Sequence, residues 1–158
     1  MPLEIERKFL VTGHAWRTAD GVPYRQGYLN RDKQRTVRVR LAGEQAFLTI
    51  KGVSTGATRV EFEYEIPVGE AAQLLSLCDG PLIEKTRHRI PLGAHVWEVD
   101  EFHGDNTGLV VAEIELGSED EAFVRPSWLG EEVTQLRRYY NNALASHPYS
   151  RWTENDGA

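Results

Sequence analysis

Cysteine is nearly missing from this chain. Cys78 stands alone, so no intrachain disulfide can form. Methionine occurs once, and the longest uncharged aliphatic run, Leu109-Val110-Val111-Ala112, is far too short to cross a bilayer as a helix. Basic residues are the minority: 18 Lys and Arg stand against 24 Asp and Glu, a net charge of −6, with a pI near 5.4. Such a balance argues against unspecific binding to nucleic acid or to a membrane surface, which wants a basic face. The opening Met-Pro-Leu-Glu-Ile-Glu-Arg-Lys has no apolar signal region. With the single thiol, this points to a reducing cytoplasm. Linkers and low-complexity tracts are also missing. A length of 158 residues suits one domain with a core of its own. The expectation is one domain over 1–146 and a looser tail over 147–158, in which Tyr149 and Trp152 can dock.

What is abundant is period-two alternation, the signature of strands. Strands are expected at 3–11, 24–30, 36–42, 46–52, 59–67, 82–90, 95–102 and 109–116. Turn residues such as Ala42-Gly43-Glu44 and Pro91-Leu92-Gly93 separate them by gaps that suit antiparallel hairpins. Helices are fewer. One is expected over 70–78, one after the capping-box pattern Ser118-Glu119-Asp120-Glu121, and one from Thr134 to about Ser146. The class is therefore α+β, with about eight antiparallel strands and helices packed outside.

The charges carry the functional signal. Glu4, Glu6 and Lys8 share one face of the first strand, Arg38 and Arg40 one face of the third, and Glu61, Glu63 and Glu65 one face of the fifth. Lys85, Arg87 and Arg89 follow on the sixth, Glu98 and Asp100 on the seventh, Glu113 and Glu115 on the eighth. For any one strand, a wet outer face explains the pattern. The whole set is harder to explain that way, because the signs segregate and the charges recur at i, i+2. Side chains at that spacing stand about 6.6–7 Å apart on one face. Carboxylates so placed converge on a hard cation, and arginines so placed fork onto successive phosphates. Closing eight strands into a barrel removes the sheet edges. If the charged face turns inward, the lumen must be wet and must use its charges, because unpaired buried charge is expensive. A polyanion with divalent metals satisfies both signs. This predicts a charged tunnel whose apolar core lies outside it.

The same residues are similar to the CYTH superfamily of triphosphate tunnel metalloenzymes. Glu4-Ile5-Glu6-Arg7-Lys8-Phe9-Leu10 resembles the hallmark ExExK strand. Further blocks follow in order: Gly27-Tyr28-Leu29, Thr36-Val37-Arg38-Val39-Arg40, Leu48-Thr49-Ile50-Lys51-Gly52, Glu61-Phe62-Glu63-Tyr64, Ile83-Glu84-Lys85-Thr86-Arg87, Trp97-Glu98-Val99-Asp100 and Ala112-Glu113-Ile114-Glu115. The resemblance runs from residue 1 to about 146. It implies an eight-stranded antiparallel β-barrel, the tunnel, and chemistry on triphosphates, and it is nearest to the small bacterial inorganic triphosphatases.

By that resemblance the expected activity is metal-dependent hydrolysis of inorganic triphosphate. Arg38, Arg40, Lys51, Lys85 and Arg87 would hold the phosphates, with Arg59 as a sixth contact. Glu4, Glu6, Glu63, Glu113 and Glu115 would hold one or two Mg²⁺ or Mn²⁺ ions, with Glu61, Glu98 and Asp100 nearby. Lys8 and Tyr28 would pair beside the scissile phosphate. Within enzymes, the rivals are a thiamine triphosphatase and a class IV adenylyl cyclase. A non-catalytic polyphosphate or nucleotide sensor is the rival from another class. A monomer and a homodimer both remain open. Glu84 and Arg7 fall on the opposite parity and read as surface pairs, the five histidines as surface groups, and the four tryptophans as packing.

Overall fold

The structure is a computed structural model and describes residues 3–18 and 20–152. Five strands come first: β1 (Leu3–Val11), β2 (Val22–Asn30), β3 (Arg35–Ala42), β4 (Gln45–Gly52) and β5 (Thr58–Ile66). Helix α1 (Val68–Leu75) precedes β6 (Asp79–Leu92), β7 (His95–Phe102) and β8 (Val110–Glu115). A short β9 (Leu129–Glu132) and helix α2 (Asn141–Ser146) complete the chain, with single 3₁₀ turns between.

Every pairing is antiparallel. Neighbours run β5-β4-β3-β2-β6-β7-β8-β1, and β1 also pairs with β5, so eight strands close into a barrel. The N-terminal end of β1 meets β5, with Leu3 opposite Val60, while β9 continues the same edge opposite Phe9 and Val11. The expected strands are thus present within a few residues, and the charged parity faces the lumen.

The apolar parity packs outside, in two clusters. Phe9, Trp97, Val99, Ala112 and Ile114 of β1, β7 and β8 join Trp16 and Trp128 from the flanking loops. A second cluster sets Val39 and Ala46 against Ala71 and Leu75 of α1. Those two helical residues are four apart and so share one face. Leu75→Ala would cost about 2–5 kcal/mol by opening a cavity there. Gly27 of β2 lets this layer close: a Cβ there would stand 2.6 Å from Leu82 Cδ2 and 2.8 Å from Cys78 Sγ. A third cluster corrects the expectation of a core wholly outside the tunnel: Ile83, Phe102 and Val111 share the inward parity of β6, β7 and β8, and with Leu109 they pack against Val133, Tyr139 and Leu144 of the C-terminal segment. Tyr149 and Trp152 dock on it, as expected of the tail, and residues 153–158 lie outside the described residues.

Three further expectations are corrected. Ser118–Glu121 forms a turn, because Ser118 Oγ donates to Asp120 and the Glu121 carboxylate folds back to accept from the Gly117 N–H. The last helix begins at Asn141, because Thr134 does not cap it. Its hydroxyl oxygen instead accepts the Lys8 backbone N–H at 3.0 Å, extending the sheet past β9. His88 is buried at 3% exposure, with Trp16 edge-on to its ring and Nδ1 accepting the Thr18 N–H, so it is no surface histidine. No helix among the described residues is long and apolar enough to cross a membrane.

Candidate active site

The barrel encloses a cavity of about 960 Å³. Its wall includes Glu4, Glu6, Lys8, Tyr28, Arg38, Arg40, Lys51, Arg59, Glu61, Glu63, Lys85, Arg87, Glu113 and Glu115. Strand alternation accounts for this: each of these residues sits at the inward parity of its own strand. Of the residues assigned from the sequence, Asp100 alone is missing from that wall.

The acidic side is built by β1, β5 and β8. Lys51 Nζ donates to both Glu4 oxygens at 3.0 and 3.1 Å and lies 3.3 Å from Glu61. Burial works to raise the Glu4 carboxyl, but Lys51 and Arg59 outweigh it and hold the group at about 2. Glu61 moves the other way, raised by burial and by the Glu4 charge. Lys8 Nζ donates to Glu113 at 2.6 Å and to Glu6 at 3.2 Å. Burial, then the negative charge of Glu113, push the Glu6 carboxyl up to about 8. Lys8 itself is held above the ordinary lysine range: burial opposes its charge, and Glu113 and Glu6 prevail. Glu115 is exposed and raised by burial of its inner face and by Glu4.

The opposite side, from β2, β3 and β6, is basic. Arg38 donates to Thr49 Oγ1 at 3.2 Å and lies 3.6 Å from Glu63, which also accepts from Thr49. Arg40 Nε donates to the Gln26 side-chain oxygen at 2.8 Å, and among the described residues no carboxylate pairs with it. Lys85 Nζ donates to Asp100 at 2.6 Å and to Asn141 Oδ1 at 2.9 Å. Burial, with Arg87 and Arg40 close by, pulls the Lys85 ammonium down to about 7 although Asp100 opposes.

Asp100 corrects the metal-ligand expectation. It is 1% exposed, and both oxygens are taken, Oδ1 by Arg87 Nε at 2.7 Å and Oδ2 by Lys85 Nζ and Arg87 Nη2. Burial would raise its carboxyl, yet Arg87 and Lys85 hold it at about 2. It is a counter-ion behind the basic wall. The expected Lys8–Tyr28 pair is not formed either. No hydrogen bond joins them, and the ring beside Lys8 is that of Tyr140, 4.6 Å from Nζ. Tyr28 packs with the Ile83 cluster at one edge of the cavity.

Four residues of the site were not singled out in the sequence. Tyr24 and Gln26 share the inward parity of Tyr28 on β2, a signal that was legible. Tyr140 and Asn141 belong to a segment read as an outer helix, and no local pattern marks them as inward. Asn141 accepts from Lys85 and from Gln26 Nε2, and Tyr140 donates to the Thr134 carbonyl.

The donor set fits a divalent cation in one way. Among the described residues no three acidic or imidazole groups form a ready ligand cluster. The acids stand instead as pairs, Glu4 with Glu61 and Glu6 with Glu113, each sharing one lysine. Mg²⁺ is held by one or two carboxylates plus substrate phosphates and water, so such pairs are sufficient. The raised Glu6 and Glu61 carboxyls are what two buried acids show without a second positive charge between them.

Comparison with known proteins agrees with this geometry. The chain is 51% identical over 156 residues to an inorganic triphosphatase of Acetivibrio thermocellus, covering 98% of this chain and 100% of that one. It is 41% identical over 147 residues to an inorganic triphosphatase of Nitrosomonas europaea, covering 90% and 96%. A crystal structure of an inorganic triphosphatase superposes with a TM-score of 0.64 at 39% identity, over 89% of this chain and 96% of that one. A protein from Pyrococcus furiosus shares the fold at 19% identity, with a TM-score of 0.58 over 74% of this chain and 80% of that one. The CYTH domain profile matches residues 2–146, and the chain belongs to the CYTH family.

Proposed function

We propose that this protein hydrolyses inorganic triphosphate to pyrophosphate and phosphate inside the barrel. The observation that carries this is the 51% identity over almost the whole chain to an inorganic triphosphatase. The cavity supports it, with a basic wall facing a wall of paired carboxylates. Triphosphate carries about four to five negative charges near neutral pH, so catalysis is chiefly positioning and neutralisation.

Arg38, Arg40, Lys85 and Arg87 bind the phosphate chain from one side, and Lys51 and Arg59 from the other. Glu4, Glu6, Glu61, Glu63, Glu113 and Glu115 are the residues that would hold Mg²⁺ or Mn²⁺. Such an ion, when bound, neutralises phosphate oxygens and acidifies a coordinated water. Lys8, kept charged by Glu113 and Glu6, stands where it can meet negative charge building on the terminal phosphate or its leaving oxygen. Tyr140 does not supply a free proton there, because its hydroxyl already donates to the Thr134 carbonyl. Tyr28 makes no protein hydrogen bond through its hydroxyl among the described residues, which leaves that group for substrate or water. Attack of water breaks the terminal bridging P–O bond, and the proton leaves with the phosphate products. The lone Cys78 suits work in a reducing cytoplasm.

The test is phosphate release from inorganic triphosphate, ATP and thiamine triphosphate, each with Mg²⁺, Mn²⁺ or EDTA. Fast release from inorganic triphosphate, abolished by EDTA, is expected. Conversion of ATP into pyrophosphate and a cyclic nucleotide would replace this function with a cyclase. Binding of triphosphate without turnover of any substrate would make the protein a sensor.

A further inference from the structure

Tyr24 occupies a special place in the basic wall. It lies on β2 between β3 and β6, opposite small Ala42 on one side and Lys85 on the other. The Arg40 and Arg87 guanidinium carbons are each 4.8 Å from the centre of its ring, and the Lys85 ammonium is 5.9 Å away. The ring is 8% exposed, so these cations meet it away from bulk water, where the attraction to the ring quadrupole is stronger than at a surface. Asp100 is the carboxylate bonded to both Lys85 and Arg87. Arg40 has only the neutral Gln26 amide and this ring, and its terminal nitrogens make no hydrogen bond among the described residues. Three cations on one wall repel one another. Carboxylates hold Lys85 and Arg87, and Arg40 needs another partner if it is to stay beside them and open to an anion.

We propose that Tyr24 is the positioning residue of this wall: its ring gathers Arg40, Arg87 and Lys85 into one layer and leaves the terminal nitrogens of Arg40 for phosphate oxygens. The inference rests on the triphosphatase function above. The role acts on substrate and transition state alike, since the phosphate chain is held throughout. Its loss therefore raises KM more than it lowers kcat.

The experiment replaces Tyr24 with phenylalanine and with mono-, di- and trifluorophenylalanine. Fluorination drains the ring's negative face while barely changing its shape, so the fold is retained. Expected are a KM for inorganic triphosphate near the wild-type value with phenylalanine and a stepwise rise to about tenfold with trifluorophenylalanine. The increase in Tm given by inorganic triphosphate in EDTA should shrink in parallel. Tyr24→Leu should exceed the trifluoro protein in KM at similar kcat. A flat KM across the fluorinated series, with wild-type turnover intact, would overturn the inference about Tyr24. No turnover of triphosphate by the wild type would overturn the proposed function instead.

Discussion

The two walls of the cavity solve the problem of buried charge differently. On the acidic side each carboxylate pair is clamped by a lysine, Glu4 and Glu61 by Lys51, Glu6 and Glu113 by Lys8. On the basic side Asp100 serves both Lys85 and Arg87, Glu98 stands 3.2 Å from Arg87 and Glu63 3.6 Å from Arg38, and neutral groups do the rest: Gln26, Asn141, Thr49 and the Tyr24 ring. The acids share too few lysines, and among the described residues Arg40 is the basic-wall cation with no carboxylate partner. A metal bound to a phosphate chain supplies positive charge to the acids and negative charge to Arg40 at once. The difference teaches that the protein's own charges pair off incompletely on both walls, which leaves each wall able to engage a charged substrate or ion.

The comparison breaks most severely at Asp100. Asp100→Asn leaves Lys85 and Arg87 buried with one counter-charge fewer, and should cost about 3–5 kcal/mol in urea unfolding. Glu113→Gln makes the matching change on the acidic side, but Lys8 keeps Glu6. Its stability cost should be under about 2 kcal/mol, while metal-dependent phosphate release falls about 100-fold. Equal stability losses in the two variants would show the walls to be built alike. Arg40→Met removes a cation that has no carboxylate partner. It should raise KM for triphosphate about tenfold and leave the ligand-free protein as stable as before, or about 1 kcal/mol more so. A large drop in Tm would contradict that.

A further test of the acidic wall concerns pH. The Glu6 carboxyl titrates near 8 in the fold and near 4.5 unfolded, so between those values the folded state holds a proton that the unfolded state has lost. Stability contributed by the neutral form is complete below about 4.5 and is lost as pH rises toward 8. In EDTA, stability in urea unfolding should therefore fall from pH 5 to pH 7, by up to about 2–3 kcal/mol, and Glu6→Gln should flatten the slope. Glu4 and Asp100, held at about 2, do not act in that window, and Lys85, at about 7, acts in the opposite sense only above it.

Much of this was legible in the chain. Alternation with period two fixes which side chains share a face, so Glu4, Glu6, Lys8, Arg38, Arg40, Glu61, Glu63, Lys85, Arg87, Glu113 and Glu115 could be placed on the inward face from parity alone. Asp100 has the same parity yet is no cavity residue. Its short side chain lies between longer lysine and arginine neighbours on β6, and their pull draws it behind them. Lys8 meets Tyr140 because the segment after β9 folds over the lumen, a contact spanning most of the chain that no local pattern encodes.

The sequence by itself determined the strands, their inward face, the signs carried there and the family. The tertiary structure decided which acid answers which base, that Asp100 is a counter-ion, that Thr134 extends a sheet rather than capping a helix, and that Tyr24, Tyr140 and Asn141 complete the site. The physical reason is range. Backbone geometry repeats every two residues along a strand and can be read locally. Partners in a closed barrel are chosen by register and side-chain reach across strands far apart in the chain.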